Sequence, residues 1–387
     1  MGGVDEISRA ELRRRTSAKW GSYPPDVLPL PVAEMDFPIA EPISTVLHAA
    51  IDRSDLGYAS RNPAVAEALA EFTARQWAWQ FDPADVTLAP EVGVAVVEVL
   101  RLLIRPGDPV VINPPVYNSF FPWLAEVGCR PVEVPLRLTG DKWTLDLDAM
   151  QAAFRDGARV HLLCSPHNPT GTVHDREDLQ RLARMADRYG VTVLADEIHA
   201  PLVLPGHTHH PFVTVSDEAA NHGVVFTSAS KAWNIAALKC AAIVTSAAAH
   251  RRLLEQLPEE LRWRVGHLGV LASIAAFQDG EPWLDEVRGV LDGHRRYLAE
   301  LLAARIPAIG YRPPDASYLA WLDCADLGLG DDPSAVFLAR GRVALSPGPS
   351  FGPPGAGHAR LNMGTSREIL AEAVNRMASV VDADGSW

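Results

Sequence analysis

The chain has 387 residues, 48% hydrophobic and 21% charged, the balance of a soluble globular protein and not of a disordered or fibrous one. That length allows two or three domains at roughly 150 residues each. A formal net charge of −13 without long runs of lysine or arginine argues against nucleic acid or an anionic membrane as the main partner.

The four cysteines, Cys129, Cys164, Cys240 and Cys324, form no CxxC pair. Reduced thiols are therefore expected rather than disulfides or a zinc site. The start, Met1-Gly2-Gly3-Val4-Asp5-Glu6, is acidic where a signal peptide needs an apolar run. No stretch reaches the roughly 18 apolar residues of a spanning helix. A soluble, cytoplasmic protein is expected.

Residues 1–45 are proline-rich and extended. Trp77 and Trp79 fall in a helical stretch with Phe72 and Phe81 and read as packing. Residues 86–89 predict a strand, and 92–104 a helix that stops at Arg105-Pro106-Gly107-Asp108. Short Val/Leu-rich strands follow at 110–113, 132–134, 160–164, 191–195 and 224–227. The helix at 175–189 places Leu179, Leu182, Ala183 and Ala186 on one face. Strands alternating with helices mean βαβ units and a mostly parallel sheet. A long helical pattern runs from 283 to 304, with strands at 318–323 and 343–345 and a last helix at 367–381. A large domain, 46–284, and a smaller α+β domain from 1–45 and 285–387 are expected.

Ligands of open parallel sheets bind beyond the carboxyl ends of the strands. Three of these ends are polar: Ser165-Pro166-His167-Asn168-Pro169-Thr170-Gly171, Asp196-Glu197-Ile198-His199 and Ser228-Ala229-Ser230-Lys231. Parallel strands bring Asn168, Asp196 and Lys231 to one edge. An amide, a carboxylate and an amine together suit pyridoxal phosphate. The lysine forms its Schiff base, the acid keeps the ring nitrogen protonated, and the amide holds the phenolic oxygen. Ser228 and Ser230 offer hydroxyls for the phosphate. The helix start at Val92-Gly93 offers free N–H groups, and Tyr117 is placed to stack on the ring.

Taken singly, each motif has a bland reading: Asp196 as a helix cap, Asn-Pro-Thr-Gly as a turn. Nucleotide sites are disfavoured, since neither GxGxxG after the first strand nor GxxxxGK[ST] occurs. Residues 348–357 read as a glycine- and proline-rich loop. Gly206-His207-Thr208-His209-His210 reads as an exposed loop, because nothing nearby completes a tetrahedral metal set.

Further motifs run nearly end to end: Leu30-Pro31-Val32-Ala33-Glu34-Met35-Asp36-Phe37, Gly57-Tyr58, Pro114-Pro115-Val116-Tyr117, Ser230-Lys231-Ala232-Trp233-Asn234, Tyr318-Leu319-Ala320-Trp321-Leu322-Asp323 and Arg360-Leu361-Asn362. With them the chain resembles the fold-type I pyridoxal-phosphate enzymes of the class I/II aminotransferase superfamily. It is most similar to their MalY/PatB-type cystathionine β-lyases. The resemblance implies an α/β fold with a mostly parallel seven-stranded sheet, and a homodimer with active sites at the subunit interface. It makes Lys231 the Schiff-base lysine, Asp196 the partner of the pyridine nitrogen, and Asn168 a ligand of the phenolic oxygen and the substrate. Tyr117 would stack on the ring, with Ser228, Ser230, Val92 and Gly93 by the phosphate and His199 among the cofactor-binding residues. Tyr58 would reach the phosphate of the neighbouring subunit, and Arg360 would grip the substrate α-carboxylate.

Two positions depart from the pattern. Lys239 stands eight residues after Lys231, where many relatives have arginine, and supplies charge without a two-pronged clamp. Pro31 stands where relatives often have an aromatic residue. The implied activity is a carbon–sulfur β-lyase that releases a thiol, pyruvate and ammonia from cystathionine or a related cysteine S-conjugate. An aminotransferase shares the Cα carbanion and is the alternative; a regulatory protein that only keeps the cofactor is a third reading.

Overall fold

The structure is a computed structural model describing residues 7–60 and 63–384; the acidic start at 1–6 lies outside the described residues. Seven strands build the central sheet: β1 (Val86–Ala89), β2 (Pro109–Ile112), β3 (Arg130–Glu133), β4 (Val160–Cys164), β5 (Thr192–Asp196), β6 (Gly223–Thr227) and β7 (Ala241–Val244). Their order is β1-β7-β6-β5-β4-β2-β3. The run from β6 to β3 is parallel, and β7 lies antiparallel between β6 and β1.

The Val/Leu runs that announce these strands follow from burial on both faces. Val193, Ala195 and Val225 enter one apolar cluster, while Leu194, Val224 and Phe226 enter another. This is the period-two alternation of a strand covered on both sides. The register sets Cys164 beside Asp196 and Asp196 beside Phe226, so three carboxyl ends finish level. β7 went unpredicted, since Ala241-Ala242-Ile243-Val244 carries little β signature.

Helices that bear on the site are α1 (Glu41–Asp52), α2 (Ala64–Trp77), α3 (Val92–Leu103), α4 (Arg176–Tyr189), α5 (Ala229–Ala232), α6 (His267–Asp279), α7 (Glu281–Arg305) and α8 (Arg367–Asp384). α4 buries Leu179, Leu182, Ala183 and Ala186 as its spacing predicts, and ends on Gly190 in the left-handed region at φ 65°. α2 stops earlier than the aromatic run suggests, because Ala78 turns left-handed at φ 52°. Trp79 and Phe81 therefore lie beyond the helix, yet they pack on each other at 4.8 Å.

A second, antiparallel sheet has the order β8 (Gly310–Tyr311), β9 (Leu319–Asp323), β11 (His358–Asn362), β10 (Ser346–Pro347). Helices α7 and α8 pack together, and Leu28–Pro29 pairs in parallel with Val343–Ala344. Residues 348–357 form two short 3-10 turns, with Phe351 buried. The loop at 206–210 corrects its expectation in part. His207 is exposed, but His209 is buried and its Nε2 lies 3.0 Å from Glu197 Oε2. The Trp77 ring meets this buried imidazole edge-on at 5.2 Å.

Candidate active site

The level strand ends open into a cavity of about 850 Å³. Lys231, Asp196, Asn168, Tyr117 and His199 line it, as do Ser228, Ser230, Lys239, Val92, Gly93 and Arg360. Among the sequence-predicted site residues only Tyr58 stands outside it.

Lys231 sits in the short helix α5, launched by Ser228, whose Oγ accepts from the Ser230 N–H. Its Nζ donates to the Ala33 carbonyl at 3.2 Å. The amine opens only to the cavity, and this burial, reinforced by the nearby Arg360 cation, brings it down to about 8. Asp196 is 4% exposed and accepts from the Ile198 N–H at 3.2 Å. Burial pushes its carboxyl up to about 7, against the pull of that N–H and of Lys231. No cation lies within ion-pair distance of it among the described residues.

Arg360 rises from the middle of β11 and is 6% exposed. Its Nη1 donates to Asn168 Oδ1 at 2.9 Å, and its Nη2 to the Pro31 carbonyl at 2.8 Å and Ser346 Oγ at 3.1 Å. The Phe351 ring covers the guanidinium at 4.9 Å. Its Nε is buried without a partner, and no carboxylate pairs with the group among the described residues. Burial lowers it to about 10. A buried cation with neutral partners and one unused donor is a ready receptor for an anion.

At the other end, α3 starts at Val92 with no side chain capping its first N–H groups. A Cβ on Gly93 would come within 2.6 Å of Trp123 Cζ2, so the glycine lets the indole lie against the helix start. Tyr117 meets that indole edge-on at 5.7 Å. Ser228 Oγ donates to the Cys240 carbonyl at 2.6 Å while capping α5. Its hydroxyl is thus spent internally, whereas that of Ser230 remains for a ligand. Lys239 lies near its predicted place, half-exposed and paired with Glu91 at 2.8 Å.

His199 is buried, and burial beside Lys231 and Arg360 drops its imidazole to about 3. The neutral ring shares a hydrogen bond with Ser317 Oγ at 3.0 Å and meets the Tyr318 ring edge-on. Sequence reasoning missed Ser346, Trp123 and Tyr23, which also line the cavity. Trp123 had a findable signal, an indole six residues after Tyr117 on the same sheet edge. Ser346 and Tyr23 come from distant segments and had none.

The sequence profile described as "Aminotransferase class I and II" matches residues 25–377. A Mycobacterium tuberculosis relative, named provisionally a cystathionine beta-lyase, is 41% identical, covering 97% of this chain and 97% of its own. Cystathionine beta-lyase PatB of Bacillus subtilis is 33% identical over 92% of this chain and 93% of its own. A crystal structure from Corynebacterium diphtheriae, described provisionally as a PLP-dependent beta-cystathionase, superposes with a TM-score of 0.93 at 35% identity, covering 98% and 99% of the two chains.

Proposed function

Because the chain belongs to the class I and II aminotransferase family, we propose that it is a pyridoxal-phosphate-dependent carbon–sulfur β-lyase acting on cystathionine or related cysteine S-conjugates. One observation carries the reading. A buried amine, a buried carboxylate without a cation and a buried guanidinium without an anion face one cavity. A buried charge this poorly matched is costly unless a ligand completes it. A protonated pyridine nitrogen suits Asp196, and an amino-acid carboxylate suits Arg360.

The same residues fit the rest of the cofactor. The uncapped start of α3, Ser230 and Lys239 suit a phosphate. Asn168, with Oδ1 turned to Arg360, keeps its amide N–H groups for the phenolic oxygen. Tyr117 offers a ring face, and His199 a neutral edge.

When bound, pyridoxal phosphate supplies an electron sink for the Cα carbanion. Arg360 orients the substrate by its α-carboxylate. Lys231, neutral across much of the range above its lowered pKa, takes the Cα proton. Asp196 as an anion holds the proton on the ring nitrogen. With that sink in place a thiolate could leave from Cβ, and the products of the proposed reaction would be a thiol, pyruvate and ammonia.

We assign the two-domain division at 46–284 to this family architecture, with the short pairing of Leu28–Pro29 to Val343–Ala344 in its support. A homodimer is part of the proposal: Leu56, Tyr58 and Trp263 are exposed, Tyr58 meets Trp263 edge-on, and Tyr58, 83% exposed, does not line its own cavity. A cytoplasmic setting is consistent with four free, buried cysteines. No helix among the described residues is long and apolar enough to cross a membrane.

The test is incubation with cystathionine and no 2-oxo acid. Pyruvate and free thiol at a steady rate are expected, and Lys231→Ala should lower that rate by a factor on the order of 10³ or more. A strict need for a 2-oxo acid acceptor would make the chain an aminotransferase. Equal rates in wild type and Lys231→Ala would leave only a binding role.

A further inference from the structure

Residues 31–37 run as a strap with the cavity on one side and the segment 15–20 on the other. On the cavity side, the Ala33 carbonyl accepts from Lys231 Nζ at 3.2 Å and Tyr318 OH at 2.9 Å, while the Pro31 carbonyl accepts from Arg360 Nη2 at 2.8 Å. Two active-site cations therefore take their bearings from this backbone. Asn234 and Asn362 hold the same side, binding the Met35 amide and the Val32, Glu34 and Met35 carbonyls.

The far side is clamped by charge. Lys19, fully buried, donates to Asp36 Oδ2 at 2.8 Å and to the Glu34 carbonyl at 3.2 Å. Trp20 Nε1 donates to Asp36 Oδ1 at 2.6 Å. Arg15 spans the Met35 and Phe37 carbonyls at 3.2 and 3.3 Å. An ion pair this deeply buried adds little net stability, because desolvation offsets its attraction. What it supplies is a fixed geometry: both acceptors of the ammonium, the Asp36 carboxylate and the Glu34 carbonyl, lie on the strap, and Trp20 fixes the other carboxylate oxygen.

We propose that Lys19 and Asp36 are positioning residues for the reaction, their buried pair holding the strap so that the Ala33 and Pro31 carbonyls aim Lys231 and Arg360. The inference rests on the roles given to those two residues above. Neither Lys19 nor Asp36 lines the cavity, so both act through the strap. With the pair removed, Asn234, Asn362 and Arg15 still attach the strap, but the charge-assisted contact that fixes its depth against the 15–20 segment is gone. The Lys231 ammonium then loses its carbonyl acceptor, which lowers its pKa further, and Arg360 drifts from the substrate carboxylate.

The test uses Lys19→Met, Asp36→Asn, the milder Trp20→Phe, and the double variant Lys19→Met/Asp36→Leu, which leaves no lone buried charge. The first readout needs neither cofactor nor substrate: the pH midpoint at which an amine-acylating reagent labels Lys231 in the apo protein, located by mass spectrometry. Arg360, Glu34, Asp196 and Lys239, the charged groups acting on Lys231, are unchanged in all four variants. The midpoint should fall by about half a unit or more. In the loaded enzyme, kcat/KM for cystathionine should fall about tenfold to a hundredfold, the larger share in KM. Should the single variants not fold, Trp20→Phe and the double variant carry the test.

Folded variants with the wild-type midpoint and wild-type KM would overturn the proposal. If wild type itself shows no Lys231-dependent pyruvate release, the functional reading is what fails. The labelling midpoint still decides the positioning claim.

Discussion

Asp196 ends β5 inside the cavity, where burial raises its carboxyl to about 7 and the nearest relief is one backbone N–H. The raised value has a consequence for the apo protein. Unfolded, this group titrates near 3.9, so between about 4 and 7 the folded state binds the proton more tightly. Its contribution is then fully present below the unfolded value and is lost as pH rises through 7. Asn cannot take that charge. Apo Asp196→Asn is therefore expected to be more stable than the apo wild type at pH 8, by something on the order of 3 kcal/mol, with the gap closing toward pH 4. Urea midpoints at the two pH values measure it; a variant that is less stable at pH 8 would mean that Lys231 already satisfies the carboxylate. Binding the cofactor should reverse the order, since the wild type alone then gains a cation partner. Such residues were legible in the sequence because their chemistry is confined to strand ends, where a polar cluster has few other reasons to be. Arg360 was legible only through its family motif. Lys19 was not legible at all, since a lysine in a proline-rich stretch reads as surface until a fold buries it.

At the scale of elements, one hydroxyl fixes the short helix α5 that carries Lys231, the lysine proposed to be catalytic. Ser228 Oγ bridges the Ser230 N–H and the Cys240 carbonyl, tying the end of β6 to the chain entering β7. Ser228→Ala removes the cap and leaves that buried carbonyl unpaired, a loss of about 1–2 kcal/mol. The expected result is a lower urea midpoint with cofactor affinity reduced less than by Ser230→Ala, which removes the hydroxyl left free for a ligand. Fluorescence titration of the apo variants with pyridoxal phosphate compares the two. If Ser228→Ala weakens affinity more, its hydroxyl reaches the phosphate after all. Strands with Val/Leu runs and helices with one apolar face were read from the sequence within two or three residues. β7 was not, because two alanines in four residues look like neither element. Its antiparallel setting comes from the chain doubling back after Lys231, a tertiary fact with no local signature. The early end of α2 was missed for the related reason that Ala78 in a left-handed conformation gives no warning in its side chain.

At the scale of the molecule, Tyr58 does not line its own protomer's cavity, unlike the other residues proposed to hold the cofactor. Among the described residues Tyr58 is the most exposed aromatic side chain, and it rests edge-on against the half-exposed Trp263 at 6.0 Å rather than against its own cavity. Exposed aromatic side chains that touch one another suit burial in a contact surface. If the proposed homodimer forms about a twofold axis, each Tyr58 serves the partner's site, and damage to Tyr58 and to Lys231 falls on different sites of one assembly. Tyr58→Ala and Lys231→Ala should each be poorly active alone. Unfolded together at equal amounts and refolded, half the dimers are hybrids. In each hybrid one site joins an intact Lys231 to an intact Tyr58, while the other carries both defects. Random pairing then predicts recovery of about a quarter of the wild-type rate. Sedimentation of the mixture should give twice the 41.9 kDa chain mass. Recovery no greater than the sum of the two variants, in a mixture that is dimeric, would place Tyr58 outside the partner's site. A monomer retaining full activity would remove the shared site altogether.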